Sequence, residues 1–249
     1  MIELDRVGRS FTVGRRKARK TVHAVRDLSF TVEAGEFVGY LGPNGAGKST
    51  TIKMLTGILA PTSGRIQVAG LDPTRRRMAL ARRIGVVFGQ RTTLWWDLPL
   101  RDSFELVRHL YKVDQIDFRR RLAELTELLG LAEFMSTPVR QLSLGQRMRG
   151  DITAALLHDP AVLVLDEPTI GLDVVSKAAM REFLRRLNAD RGTTVLLTTH
   201  DLGDIEKLCR RVMVIDHGHL AFDGTLDDLR ATAPDEESME GVVTRLYSG

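Results

Sequence analysis

Residues 42–50 read GPNGAGKST and lie between an apolar run, residues 37–41, and a helix-like run, residues 51–59. Gly42, Gly45 and Gly47 let the backbone turn tightly, so that successive amide N–H groups converge on an anion. A helix starting directly afterwards adds about half a positive charge at its N-terminus. Lys48 carries a full charge suited to β- and γ-phosphates, Ser49 has a hydroxyl short enough to ligate a nucleotide-bound Mg²⁺, and Thr50 follows beside the α-phosphate. Asn44 and Ala46 complete the stretch as further nucleotide contacts. A bare glycine-rich turn with a chance Lys-Ser is the plainer alternative, but a strand before and a helix after are what a phosphate-binding loop requires.

Outward from this loop the chain reads as an α/β protein with a mostly parallel sheet. Ile2, Leu4 and Val7 predict a short edge-type strand, and Leu28, Phe30 and Val32 alternate with polar residues in a second, together an N-terminal antiparallel β subdomain. Residues 61–64, PTSG, turn into a strand over 65–69, and Pro73 is expected to start an arginine-rich helix. Residues 84–88 are a continuous apolar run, as in a strand buried on both faces. Over residues 91–159 the periodicity turns helical, with Phe104, Val107 and Leu110 on one face and Leu122, Leu125, Leu128 and Leu129 on another, which predicts an inserted α-helical subdomain. Residues 162–165, 194–197 and 212–215 are short, branched and apolar, as in a parallel sheet. Residues 231–249 read as a polar link and a short helix that close a single domain, 1–249.

A chain of 249 residues can bury a full core. No run approaches the roughly 18 apolar residues of a membrane span, and the opening MIELDRVGRS lacks the apolar core of a signal peptide, so a soluble, cytoplasmic protein is expected. The single cysteine, Cys209, has no intrachain disulfide partner and reads as an ordinary helix residue. The net charge of +4 gathers in two groups, Arg15, Arg16, Lys17, Arg19 and Lys20, and Arg75, Arg76, Arg77, Arg82 and Arg83. These are either solvated surface or a meeting place for anionic lipid or nucleic acid.

Hydrolysis needs a metal clamp, a base for water and a sensor of the γ-phosphate. Residues 162–167, VLVLDE, are an apolar strand ending in two carboxylates, and ligands of α/β sheets bind beside strand C-termini. Asp166 suits Mg²⁺; Glu167, one residue beyond, is placed to polarise the attacking water, with Pro168 ending the strand. His200 follows the strand over 194–199 at the same edge, and Gln90 ends the strand over 84–88 with an amide oxygen that can ligate Mg²⁺. Ser143 and the N–H of Gly145 fall where a helix running to about His158 would begin, which offers a hydroxyl and a positive dipole end to an anion.

The order Lys48, Gln90, LSLGQ at 142–146, Asp166-Glu167, GLD at 171–173 and His200 resembles the ATP-binding subunit of an ATP-binding-cassette transporter over residues 1–229, and so implies a P-loop NTPase core. The resemblance implies ATP and Mg²⁺ as ligands, with Lys48, Gln90, Glu167 and His200 serving catalysis and Ser49, Gln90 and Asp166 the metal. It implies a dimer that sandwiches two ATP molecules, each between the phosphate loop of one copy and Ser143, Gly145 and Gln146 of the other, with Asp173 at the seam. It puts Phe11 on the adenine, where stacking is worth about 1–3 kcal/mol; a core phenylalanine is the alternative. Leu144 stands where the family usually has glycine, and hydrolysis is expected to survive if its side chain points away from the nucleotide.

FGQ at 88–90, LWWDLP at 94–99 and LSLGQR at 142–147 are similar to the ATPase subunits of bacterial multidrug-type exporters. That similarity implies separate membrane permeases and a station on the cytoplasmic face of the membrane; the dimer is expected to be a homodimer, with pairing to a different cassette subunit left open by the sequence. Trp95 and Trp96, if helical, point about 100° apart, so one is expected to anchor a membrane partner unless both are buried. A nucleic-acid or ribosome-directed cassette would use the basic loop at 15–20, but residues 51–141 lack the sustained heptads of repair-type relatives, and no nucleic acid is expected as a partner. A small-molecule phosphotransferase would leave the signature, Glu167 and His200 without roles.

Overall fold

The structure, a computed structural model, describes residues 1–14, 19–89, 91–236 and 238–248. Two sheets share the core. The first is antiparallel and has the order β2-β1-β4, from β1 (Ile2–Val13), β2 (Lys20–Val32) and β4 (Ser63–Val68). The second has the order β5-β6-β7-β3-β8-β9, from β3 (Phe37–Leu41), β5 (Ile84–Phe88), β6 (Val162–Asp166), β7 (Thr194–Thr198), β8 (Arg211–Asp216) and β9 (His219–Thr225). It is parallel except for the β8/β9 hairpin. β1 is therefore no short edge strand: it has 12 residues and lies in the middle of its sheet. Side-chain alternation reports which faces are covered, whereas edge or centre depends on main-chain partners that alternation does not register. The same holds for β5, apolar throughout yet at the edge of its sheet.

Helices follow the strands. α1 (Lys48–Leu55) ends four residues before the expected 59, because Gly57 turns the chain at φ 72°, where a Cβ would lie 2.5 Å from the Pro73 carbonyl oxygen. α2 (Arg77–Ala81) starts later than Pro73, since Asp72 Oδ1 accepts from the amides of Thr74 and Arg75 at 2.8 and 3.1 Å and holds a turn there. α3 (Leu100–Tyr111), α4 (Gln115–Leu129) and α5 (Leu144–Leu156) form the helical insertion. Phe104, Val107, Leu125 and Leu129 are buried in it as expected, while Leu110 and Leu128 are exposed. Trp95 and Trp96 are in a turn before α3 and not on a helix, and both are exposed. α6 (Val174–Arg191), α7 (Leu202–Leu208), α8 (Leu226–Ala231) and α9 (Met239–Ser248) complete the chain, with Cys209 buried just past the end of α7.

Period-2 alternation divides β3 between two apolar clusters: Phe37 and Leu41 face the helices, while Val38 and Tyr40 face the antiparallel sheet. The phosphate-loop strand is thus clamped on both faces and, between β7 and β8, on both edges. Among the described residues no helix is long and apolar enough to cross a membrane. The arginines at 75–77, 82 and 83 are solvent-exposed; residues 15–17 of the other basic group, and Gln90, lie outside the described residues.

Candidate functional site

Register brings the strand ends together. Phe88 pairs with Asp166 and Asp166 with Thr198, one row across β5, β6 and β7, so that Gly89, Glu167 and Thr199 leave the sheet side by side. With the loop after β3 they enclose a cleft of about 620 Å³ lined by Asn44, Gly45, Gly47, Lys48, Ser49, Thr50, Asp166, Glu167 and His200, among others. Gly42 and Ala46 are buried behind the loop.

Gly47 shows why the loop needs glycine: its φ is 113°, and a Cβ there would lie 2.5 Å from the Ala24 carbonyl oxygen. It also starts α1 with no side-chain cap, so the amides of the first turn have no internal anion surrogate. The Lys48 ammonium donates to the carbonyl oxygens of Gly42 and Pro43, the latter at 3.1 Å. Burial pulls its pKa below the ordinary lysine value, and the nearby Glu167 and Asp166 oppose that pull. Thr198 Oγ1 donates to Asp166 Oδ1 at 2.5 Å and orients that carboxylate.

Glu167 has φ 55°, a left-handed conformation that costs a non-glycine residue about 1–3 kcal/mol. Its N–H donates to Thr198 O at 2.9 Å, and its Oε1 is 2.9 Å from His200 Nε2. Gly89 supports the bend: its N–H donates to Asp166 O at 2.7 Å, and a Cβ would lie 2.3 Å from Glu167 O. Lys48, Ser49, Asp166, Glu167 and His200, far apart in sequence, therefore share one cleft.

Other expected residues lie elsewhere on this chain. Ser143 caps α5 in a reciprocal box with Gln146, whose N–H donates to Ser143 Oγ at 3.2 Å while Ser143 N–H donates to Gln146 Oε1 at 2.9 Å. Neither these two nor Gly145 lines the cleft. Asp173 caps α6, and hydrogen bonds from the Ser176 hydroxyl and N–H hold its carboxyl below the usual range. Leu144 leans on the chain's own loop at 171–173, where a Cβ on Gly171 would lie 2.5 Å from its Cδ2. Phe11, opposite Val22, is half-buried under the Arg9 guanidinium at 4.7 Å; it belongs to neither apolar cluster, so the core alternative fails, and it does not line the cleft.

Sequence reasoning missed Lys53 and Arg91 on the cleft wall and Thr198 behind Asp166. Lys53 was legible, four residues after Ser49 on the same helix face. Thr198 reads only as a β-branched strand residue, and no pattern separates it from its neighbours.

Residues 25–170 match the ABC transporter family. The ABC transporter ATP-binding protein NatA of Bacillus subtilis (strain 168) is 34% identical over 231 residues, spanning 93% of this chain and 94% of its own. The chain belongs to the ABC transporter ATP-binding family. Daunorubicin resistance ATP-binding protein DrrA3 of Streptomyces coeruleorubidus is 41% identical over 84% of this ABC ATPase and 65% of its own length. Methionine import ATP-binding protein MetN 1 of Listeria monocytogenes serotype 4b (strain F2365) is 35% identical over 92% and 68%. Among solved structures, an ATP-binding subunit of an ABC transporter superposes with a TM-score of 0.86 at 27% identity, over 98% of each chain. A dimeric cassette in a post-hydrolysis state with ADP and Pi gives 0.81 at 26% identity, over 91% of this chain and 99% of its own. The protein is the ATP-hydrolysing subunit of an ABC transporter.

Proposed function

We propose that this ABC ATPase works as a homodimer on the cytoplasmic face of the membrane and drives separate permease subunits in export. One observation carries the dimer: Ser143, Gly145 and Gln146 lie outside the cleft that holds Lys48, Asp166, Glu167 and His200 of the same chain. A helix N-terminus with an exposed hydroxyl suits an anion, and in this reading a second cassette, taken to be a second copy of the chain, brings it to the nucleotide. A lone chain is then a poor ATPase.

In this reading Lys48 and the α1 amides take the phosphate charge, and Ser143 with the Gly145 N–H of the second copy closes over the γ-phosphate. Glu167 accepts the hydrogen bond of the attacking water, and His200, 2.9 Å away, holds the carboxylate in place. Ser49 and Asp166 both line the cleft with oxygen donors suited to a hard cation. They would hold Mg²⁺, with Gln90, and it would neutralise charge on the phosphates. Phe11 would stack on adenine and Asp173 would meet the second copy. Closure of the dimer pulls on the permease, and hydrolysis reopens it. Export is supported by the similarity of LWWDLP and LSLGQR to exporter subunits and by a relative named for drug resistance. The relative named for methionine import makes direction a matter for experiment.

Glu167→Gln should bind ATP, accumulate as a dimer in size-exclusion chromatography with light scattering, and carry a polytopic membrane protein through affinity purification from solubilised membranes. A monomer with ATP, or a normal turnover rate, overturns the site; ribosomal proteins or nucleic acid as sole companions overturn the transporter assignment. Cells lacking the subunit should retain more daunorubicin, the drug named in the 41%-identical relative, and lower retention refutes export.

A further inference from the structure

Behind the Glu167–His200 pair lies a buried carboxylate to which the mechanism above assigns no role. Asp204, in α7, has no exposed surface. It accepts the Thr169 hydroxyl and, at 3.2 Å, the Thr199 hydroxyl on Oδ2, and the Arg181 guanidinium of α6 at 2.5 Å on Oδ1. Thr199 Oγ1 in turn accepts the Asp201 N–H at 3.0 Å. Burying a charge is costly even when it is paired, and an apolar replacement is often no worse for stability, so the fold gains little by keeping one here. Its two hydroxyl partners, however, belong to the two segments that carry the cleft's acid and imidazole: Thr169 follows Glu167 by two residues and Thr199 precedes His200. Both threonines are themselves buried.

We infer that Asp204 is a positioning residue for hydrolysis: with Arg181 behind it, one carboxylate oxygen ties the segment after Glu167 to the segment before His200 and so fixes the contact between them. The inference rests on the roles given to Glu167 and His200. Glu167 occupies a left-handed conformation that would relax if the loop were released, and the second hydrogen bond of that loop, Ile170 N–H to Glu167 O, is long at 3.3 Å. The Glu167 N–H to Thr198 O bond fixes the main chain at Glu167 itself, and the tether at Thr169 restrains the loop beyond it. The carboxylate geometry matters as much as its charge, because both hydroxyls meet the same oxygen.

The test uses the full chain under conditions in which the wild type turns over. Thr169→Val removes one hydroxyl at nearly constant volume; it should lower kcat about tenfold or more with nucleotide Kd within about twofold, a pattern of loss confined to the transition state. Thr169→Ser should restore kcat to within about threefold, and Asp204→Asn, which keeps an oxygen but loses the pull on Arg181, should fall between. In the His200→Ala background Thr169→Val should cost under about twofold, because residues that act as a unit are non-additive. A kcat for Thr169→Val within about twofold of wild type, or an equal loss with and without His200, overturns the inference and leaves a structural carboxylate only. If His200→Ala itself turns over like the wild type, the assignment of the pair fails, and this inference with it.

Discussion

Replacing Leu144 by glycine restores the residue usual in the family, and the structure says what this costs. Leu144 is half-buried on the main apolar cluster, and its Cδ2 fills the space over Gly171. Losing about half of a buried leucine's contribution removes about 0.8–1.5 kcal/mol. A glycine in the first turn of α5 adds about 0.5–1 kcal/mol of backbone entropy. The sum, about 2 kcal/mol, lowers the melting temperature of a chain this long by about 4–8 °C. Because the side chain lies against the 171–173 loop and not against the anion-binding face of Ser143, ATPase activity should stay level or fall as the signature loosens. Gly171→Ala is the reciprocal change: its Cβ meets Leu144 Cδ2 at 2.5 Å, and its φ of 68° is strained for alanine. In the double variant the clash disappears but the strain remains, so rescue should be partial. Differential scanning fluorimetry and a coupled ATPase assay read both effects. An unchanged melting temperature, or a rise in rate of about tenfold or more in Leu144→Gly, refutes the placement of this side chain.

Lys48→Ala should weaken nucleotide binding about 10- to 100-fold, the value of a charge-assisted bond, and isothermal titration showing equal affinity would remove Lys48 from the phosphates. Asp151→Ala, in α5, would leave Thr93 N–H and the Thr92 and Thr93 hydroxyls without their common acceptor. A loss of about 2–4 kcal/mol in urea unfolding is expected, with Asp151→Asn losing less; equal losses would refute the hydrogen-bond account. The bond from Lys177, then the charges of Lys177 and Arg181, hold the Asp201 carboxyl below its ordinary 3.8. Its folded pKa is depressed, so this contribution is present above 3.8 and is lost as pH falls through the folded value. The stability gap between wild type and Lys177→Met should therefore narrow below that pH, and a gap that widens there contradicts the sign.

What the sequence alone determined was local chemistry. The glycines and Lys48-Ser49 of the loop, the carboxylates ending an apolar strand, and Ser143 at the start of a helix are each written within a few residues, and local spacing dictates turn, helix start and strand end. The α/β architecture was legible for the same reason, from short apolar strands alternating with helices. Tertiary structure decided what depends on distant neighbours. Strand register puts Asp166 beside Thr198, and the paths of the loops beyond bring Glu167 within 2.9 Å of His200. Sheet order makes β1 central and β5 an edge, and main-chain pairing of this kind leaves no trace in side-chain alternation. The turn at Trp95 and Trp96 and the seat of Leu144 on Gly171 were equally out of reach, because a side chain's direction follows from the backbone it meets, and in this fold that backbone comes from elsewhere in the chain.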